Sequence, residues 1–273
     1  MTKFHLLLSN KHPMKKIIYS IVIVLSTVKT SAQSEKIETD RPGETNTPAT
    51  VPKKWIQIET GFLMQIEKHS SKLKDHFIQH PSLLSKYGIG NRIELRLLTE
   101  WGTIKEQFVN DTTSRTGITN VQLGGKVNFL QEKGLRPKTS LIAHYNFRRL
   151  RTLYKDSIDG ANFRFAMLHT LSKTISIGYN IGMNWNRFGF PPAYMYTFSP
   201  RFNISEKWFA YIEVFGSFKR PRKYSPENNI GAGFAYNVND NFKIDASAGL
   251  GLSKEAPDKF YSIGASFRFK TGK

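Results

Sequence analysis

The last strand-like stretch of the chain, Phe260–Lys270, alternates between apolar and polar residues along its whole length. Tyr261 and Phe267 fall on one face, and Ser262 and Arg268 fall on the other. A period of two residues predicts a β-strand with one apolar and one polar face. The same alternation recurs along most of the preceding chain, so it constrains the fold more strongly than any other feature.

The alternating residues divide into about twelve strands of about ten residues, the length that a tilted membrane-spanning strand requires. The first strand is predicted over Trp55–Ile66. Short connections such as Gly88–Asn91 are expected at one end, and longer loops such as Glu67–His76 and Gly102–Gly117 at the other. Short periplasmic turns and longer outer loops are typical of outer-membrane barrels, and an even strand count places both ends of the barrel on the periplasmic side.

The composition of the two faces distinguishes a membrane barrel from a soluble β-sandwich, which also alternates. The polar face is rich in Gly, Ser and Asn, as in a crowded lumen, and the apolar face carries many aromatic residues. The mean hydropathy of −0.40 is too polar for a helical membrane protein but suits a barrel, in which half of the strand residues face inward. The predicted fold is therefore all-β: an antiparallel up-and-down transmembrane β-barrel of about 12 strands, following a cleaved signal peptide.

The first 33 residues are interpreted as a secretory signal peptide. Met14, a possible true start, opens a basic segment, and the apolar run Ile17–Val28 is too short for a transmembrane anchor. Small residues at Ser31 and Ala32 precede the expected cleavage site. Residues 34–54 form a Pro-containing lead without periodicity, which is expected to be extended and to lie near or inside the lumen. The alternative, which composition alone favours, is a disordered leader. Residues 55–273 form the barrel. The expected location is the outer membrane of a Gram-negative cell.

Charged residues on the predicted lumen face are the candidates for setting solute selectivity. Their structural interpretation is a polar network that keeps charges paired, and their functional interpretation is the lining of a pore. In the lead, Asp40 and Arg41 are expected to pair with lumen charges. The candidates are Glu59, Glu94, Arg96, Lys126, His144, Arg164, Arg201, Glu213, Asp245 and Arg268, with Glu100, Arg148 and Lys243 as further lumen charges.

The chain has 40 Lys and Arg against 21 Asp and Glu, and part of this excess of positive charge lies in two loops. These loops favour contact with lipopolysaccharide phosphates, although solvated loops without a partner explain them equally well. Nucleic acid is a poor partner for an exported protein. The loop residues are Arg148, Arg149, Arg151 and Lys155 in one, and Lys219, Arg220, Arg222 and Lys223 in the other.

Enzymatic and metal-binding alternatives have little support in the sequence. The absence of Cys excludes a thiolate nucleophile and a disulfide framework. His144 is the one His in mid-strand on the lumen face, but a lipid hydrolase needs a Ser nucleophile beside it, and Ser140 is about 13 Å away along the strand. His76, His80 and His169 have no metal-ligand spacing. No enzyme activity, cofactor or metal is therefore predicted.

Three stretches carry a family resemblance: Glu38-Thr39-Asp40-Arg41-Pro42, Thr50–Trp55 and Gln57–Phe62, together with the hairpin Tyr87–Arg96. They resemble the outer-membrane family named after the MetA-pathway of phenol degradation, whose members are often described as transporters. Lys54 stands where Gly is common in the family. The resemblance implies a barrel fold and a transport role, but no catalytic residues and no particular substrate.

Taken together, these features predict an outer-membrane channel or transporter for small polar or aromatic solutes, with passive passage through a lumen lined by charged and small residues. The alternatives are a structural or lipopolysaccharide-interacting barrel without transport and, less favoured, an outer-membrane lipid hydrolase. The expected partners are outer-membrane lipid and lipopolysaccharide, an unidentified small solute, and the barrel-assembly machinery, which would contact the C-terminal strand.

Overall fold

A computed structural model describes residues 36–70, 73–108, 111–154, 156–219 and 225–272. The predicted signal peptide, residues 1–33, lies outside the described residues, as do Lys155, Arg220, Arg222 and Lys223 of the basic loops. Within the described residues, no helix is both long and apolar enough to cross a bilayer.

Twelve antiparallel strands follow one another around a closed barrel, in which each strand pairs with its neighbours in the chain and the last pairs with the first. The closing pair runs from Trp55 opposite Lys270 to Ile66 opposite Lys259. Closure leaves no unpaired sheet edge along these residues. The strands are β1 (Trp55–Ser70), β2 (Leu73–Gly90), β3 (Ile93–Phe108), β4 (Thr112–Leu130), β5 (Lys138–Asn146), β6 (Gly160–Thr170), β7 (Ile175–Trp185), β8 (Ala193–Asn203), β9 (Trp208–Lys219), β10 (Glu227–Asn239), β11 (Phe242–Gly251) and β12 (Lys259–Lys270).

The alternation orients the side chains as predicted. Apolar residues such as Leu123, Ile181 and Ile263 are 51–61% exposed on the outside of the barrel, while polar residues of the same strands are buried inside. Large apolar side chains are expected to face outward only where lipid replaces water around the protein. The predicted fold class, an antiparallel transmembrane barrel of twelve strands, is confirmed.

The first four strands are longer than predicted, because β1–β4 contain 16, 18, 16 and 19 residues. The segments Glu67–His76 and Gly102–Gly117, expected to be loops, instead lie mainly in paired strands. Irregularities in the pairing explain the error: the register shifts between Lys68 and Ser70 and between Glu100 and Trp101. A bulge displaces the alternation by one residue, so the sequence pattern appears to end where the strand continues.

The short turns gather at one end of the barrel, which we call the turn end. The connection between Gly90 and Ile93 and that between Asn239 and Phe242 lie there, as do the start of β1 and the end of β12. At the opposite end, the β5–β6 connection contains a single 3-10 turn, Arg148–Leu150. The lead, residues 36–54, is therefore joined to the barrel at the turn end.

Candidate functional site

The lead enters the barrel at the turn end and returns to it. At its beginning, the Ile37 N–H donates to the Asp240 carbonyl over 2.8 Å, and at its end the Lys54 N–H donates to the Gly88 carbonyl over 2.8 Å. Ile37 and Val51 are 1% and 3% exposed, so both limbs are buried. Proline residues in the lead disfavour a helix, and the chain instead forms an irregular loop whose main-chain groups bond to the barrel wall.

The centre of the site is a buried cluster of charges around Asp40. Its carboxylate lies 2.5 Å from the Lys86 Nζ, 2.9 Å from the Arg96 Nη1 and 3.3 Å from the Lys126 Nζ. Glu59 pairs with Lys86 over 2.6 Å, and Glu94 pairs with Arg96 over 2.7 Å. These six side chains are 0–4% exposed, and their three positive and three negative charges balance. The balance matters because a buried charge without a partner is strongly destabilising.

The strand register brings the cluster together. Lys86 on β2 lies opposite both Gln57 on β1 and Arg96 on β3, and Glu94 on β3 lies opposite Lys126 on β4. Side chains at directly opposed positions of an antiparallel pair share one face of the sheet and are close enough to interact. The wall therefore presents its cations as a group, and Asp40 of the lead supplies the carboxylate that lies among all three of them.

Arg41 forms a second contact, on the opposite side of the β1 strand. Its Nη2 lies 2.9 Å from Asp245 on β11 and donates to the Ser262 hydroxyl on β12 over 2.9 Å. Gly61 and Gly264 are directly opposed across the closing strand pair, and a Cβ on either residue would come within 2.4 Å of the Arg41 guanidinium. The two glycines thus leave the space in which the guanidinium lies.

The tip of the lead, Gly43–Asn46, is bound through its main chain. The Glu213 carboxylate accepts the backbone N–H groups of Glu44 and Thr45 over 3.0 and 3.1 Å. Arg201 donates to the Thr45 carbonyl over 2.6 Å, and Arg164 donates to the Glu44 carbonyl over 3.3 Å. The Asn180 amide bonds to both the N–H and the carbonyl of Asn46, over 2.8 and 3.2 Å.

The returning limb is also held by wall side chains that bond to its backbone. Lys126 donates to the Thr47 and Ala49 carbonyls over 2.9 and 3.0 Å, and Glu94 accepts the Val51 N–H over 2.7 Å. Asn128 and Ser140 both donate to the Pro48 carbonyl. Wall contacts to the lead therefore come from strands all around the barrel, and they are mostly polar.

Eight of the ten predicted selectivity residues contact the lead directly, and two do not. His144 contacts Arg96 instead, and Arg268 donates to the Asn241 side chain over 2.9 Å near the turn end. Arg148 lies beyond the end of β5, in the outer connection, and not on the lumen face as expected. The eight candidates that contact the lead are Glu59, Glu94, Arg96, Lys126, Arg164, Arg201, Glu213 and Asp245, and Lys243 of the further lumen charges also donates to the Thr39 hydroxyl.

Lys86 was not among the predicted site residues, although it has 1% side-chain exposure and contacts both Asp40 and Glu59. A register shift between Gly88 and Gly90 hides its position, because a regular count back from the hairpin turn does not place Lys86 opposite Arg96. Gln57, Asn128 and Asn180 were not among the candidates either, although all three bond to the lead. An uncharged amide on a strand carries no sequence signal that distinguishes a lead contact from an ordinary lumen residue.

The surroundings of His144 do not resemble those of a catalytic base. Its Nε2 accepts a bond from the Arg96 Nε over 3.2 Å, and its Nδ1 is 3.2 Å from the Asn162 Oδ1. The Ser140 hydroxyl donates to the Pro48 carbonyl. A nucleophilic hydrolase needs a Ser hydroxyl bonded to the His, and none of the His144 hydrogen bonds in the described part of the chain involves one. No group of acidic or His residues in the same part is arranged to hold a metal.

The described cations of the first basic loop are largely paired with acids of that loop. Arg148 lies 2.7 Å from Asp156, and Arg149 lies 2.7 Å from Asp159. Burial opposes ionisation of Asp156, but its bonds to Arg148, to the Ile158 N–H and to Arg187 outweigh burial and hold its pKa at about 2. These pairs reduce the charge that the loop could offer to a phosphate group.

A cavity of about 600 Å³ lies at the turn end, between the lead and the inner wall. We call it the vestibule. Its wall includes Ser199 and Arg201 of β8, Phe209 and Tyr211 of β9, and Lys243 of β11. The vestibule is therefore the part of the lumen next to the lead that the chain itself does not fill.

The sequence from Thr39 to Phe269 matches the model of the family described as "Putative MetA-pathway of phenol degradation". The chain belongs to this family. The match covers most of the chain and begins within the lead, one residue before Asp40, so the lead is part of the family's common sequence. No curated protein is similar enough in sequence to add a closer relative.

Two solved structures share the fold at very low sequence identity. An outer membrane channel from Pseudomonas putida F1 is 11% identical with a TM-score of 0.63, covering 84% of this chain and 99% of that chain. The translocator domain of the autotransporter NalP from Neisseria meningitidis is 8% identical with a TM-score of 0.51, covering 93% of this chain and 94% of that chain. Family and fold together identify an outer-membrane β-barrel.

Proposed function

We propose that the protein is an outer-membrane channel for small solutes, and that the lead closes its lumen in the state described here. The observation that carries this proposal is that many inward-facing polar groups of the wall bond to the lead. Glu213, Arg201 and Asn180 bond to the lead, and Lys126 and Glu94 do so as well. If the lead moved aside, these groups would line an open polar lumen.

The size of the barrel supports this interpretation. An eight-stranded barrel is just wide enough for its own side chains to fill the interior, and the interior widens as strands are added. Twelve strands leave space that the wall side chains do not fill, and here the lead occupies it. A purely structural barrel would have no need for an interior that a separate segment must fill.

The chemistry of the contacts also favours a segment that can leave. The lead is held mainly by hydrogen bonds and ion pairs, which water or a polar solute can replace in an open lumen. The lumen wall carries both signs of charge, which suits small polar solutes. The similarity to a protein described as an outer membrane channel supports the same assignment. The family description suggests aromatic compounds as one class of solute, and the proposal does not depend on that class.

A reversible lock tests the proposal on the intact protein. The chain contains no Cys, so Asn46→Cys with Asn180→Cys introduces the only possible disulfide, between the tip of the lead and β7. We expect the wild-type protein in planar bilayers to show openings that disappear in the oxidised double variant and return on reduction. Each single Cys variant is the matched control, and mobility on a non-reducing gel reports whether the disulfide has formed.

Two results would contradict the proposal in different ways. Electrical silence of the wild type and of the reduced variant, together with no solute flux into liposomes, would favour a structural or lipopolysaccharide-binding barrel. Equal conductance of the oxidised and reduced forms would show that solutes pass without movement of the lead. The hydrolase alternative would require phospholipid turnover that is lost in His144→Ala.

A further inference from the structure

The vestibule contains two cations without an acidic partner. Arg201 donates to the Thr45 carbonyl over 2.6 Å, and the Lys243 Nζ lies 3.3 Å from the Thr39 hydroxyl and 5.9 Å from the centre of the Phe209 ring. Among the described residues, neither has a carboxylate oxygen within 4.0 Å, unlike Lys86, Arg96 and Lys126 of the central cluster. The charges of these two side chains are therefore not neutralised by a direct ion pair, although the vestibule lining also includes the acids Glu38 and Glu213.

A buried hydroxyl beside these cations also lacks a partner. Ser199 is 0% exposed and lines the vestibule, yet its Oγ makes no hydrogen bond within the described part of the chain. The Asn237 Oδ1, in the same cavity wall, is likewise buried and unbonded. Buried polar groups are almost always hydrogen-bonded, so these two oxygens can accept or donate a bond to a molecule in the vestibule.

Two aromatic rings lie beside these cations in the same wall. Phe209 and Tyr211 lie in the vestibule lining with their ring centres 6.2 Å apart and their planes at 25°. Arg201 lies opposite Tyr211 in the strand register. A molecule with an anionic head and a flat apolar body could place its head at the cations and its body against the rings.

We infer that the vestibule is a binding site for a small organic carboxylate, which Arg201 and Lys243 would hold with the Ser199 hydroxyl. The inference rests on the proposed channel function and names the class of solute. It also gives the solute a route to influence the lead. The Thr45 carbonyl is a neutral acceptor, whereas a carboxylate is charged and can accept two guanidinium N–H groups, so a carboxylate competes well with that carbonyl for Arg201. Binding would therefore loosen the tip of the lead.

Calorimetric titration of the detergent-solubilised mature protein with benzoate tests the site without requiring conductance. We expect benzoate to bind and benzyl alcohol, its neutral analogue, to bind at least tenfold more weakly. Arg201→Gln and Lys243→Gln should each weaken benzoate binding about tenfold, while Arg201→Lys should retain part of it. Lys207→Gln, at an exposed turn position of the same end, is the control for a general loss of charge and should leave binding unchanged.

A single Cys at position 44, Glu44→Cys, tests the effect on the lead. Labelling by a soluble maleimide should be faster with benzoate than with benzyl alcohol, and Arg201→Gln should abolish the difference. Benzoate binding that is equal in Arg201→Gln and wild type, or that benzyl alcohol matches, would overturn the site. Binding with the expected variant pattern but no conductance would instead contradict the channel proposal and leave the site intact.

Discussion

The lead is held in two different ways at its two innermost parts. Its stem, Asp40 and Arg41, is held chiefly through side-chain charges, by Lys86, Arg96 and Lys126 on one side and by Asp245 on the other, and Glu59 also accepts its two main-chain N–H groups. Its tip, Gly43–Asn46, is held chiefly through main-chain N–H and carbonyl groups. The stem contacts therefore depend on which residues the lead contains, whereas most tip contacts depend only on where its backbone lies.

This difference has an energetic consequence. Removing one member of a buried ion pair leaves an uncompensated charge and costs about 3–5 kcal/mol, whereas one neutral hydrogen bond contributes about 0.5–1.5 kcal/mol. The stem should therefore decide whether the lead stays in the lumen. The tip, with weaker individual contacts and the vestibule beside it, should be the part that moves first.

The largest effect is expected when stem and tip are removed together. Deletion of residues 36–50 retains Val51–Lys54, which pair with the end of the barrel. We expect this variant to conduct continuously in planar bilayers, at a level well above the average of the wild type. Heat-dependent gel mobility and circular dichroism would show that the barrel still folds. A folded deletion variant with wild-type conductance would show that the lead is not the barrier.

Asp40→Asn should break the stem contact alone. The amide keeps the shape of the side chain but leaves the cations Lys86, Arg96 and Lys126 facing only Glu59 and Glu94. If the free energy that holds the lead in the lumen falls by about 3–5 kcal/mol, the ratio of open to closed channels should rise about 100-fold or more. The open probability in planar bilayers measures this ratio. Asp240→Asn, an exposed acid at the same end, is the control and should behave as wild type.

Gly264→Ala should have a smaller effect on the same stem, because it introduces a steric clash and removes no charge. Its Cβ would lie 2.4 Å from the Arg41 Nε, so the guanidinium must move away from Asp245 and Ser262. Overpacking of this kind costs about 1–3 kcal/mol, which corresponds to an increase of roughly five- to 150-fold in the open-to-closed ratio. Gly90→Ala is the matched control, because its nearest neighbouring atom is 3.8 Å away. Equal open probabilities for the two variants would mean that the Arg41 contact does not hold the lead.

The sequence predicted the barrel well because the physical cause of the fold is repeated in every strand. A strand that alternates as Ile175–Trp185 does has one apolar and one polar face, whatever the loops on either side of it are like. The prediction was wrong about strand length where a register shift broke the pattern, as it did between Glu100 and Trp101 in β3. The extra residue Thr119 on the partner strand β4 displaces the alternation there and hides the continuation of β3.

The candidate site was only partly predictable, because its geometry depends on a segment without periodicity. Lumen-face charges such as Glu94 and Lys126 follow from the alternation, whereas the position of Lys86 is hidden by a register shift between Gly88 and Gly90. The path of the lead does not follow from any repeat. Its contacts to Glu213 and Asn180 are made mostly by its backbone, which has the same chemistry in every sequence.

Thr45→Val is the substitution with the smallest expected effect, and it tests whether the tip is held by its backbone. The Thr45 hydroxyl donates to Glu213 over 3.1 Å, but the Glu44 and Thr45 N–H groups donate to the same carboxylate and would remain. Valine has nearly the same shape, so the expected loss of docking free energy is about 0.5–1.5 kcal/mol. The increase in open probability should therefore be at least several-fold smaller than for Asp40→Asn. If Thr45→Val opened the channel as much as Asp40→Asn, the tip would depend on its side chains as strongly as the stem does, and the distinction between the two parts would fail.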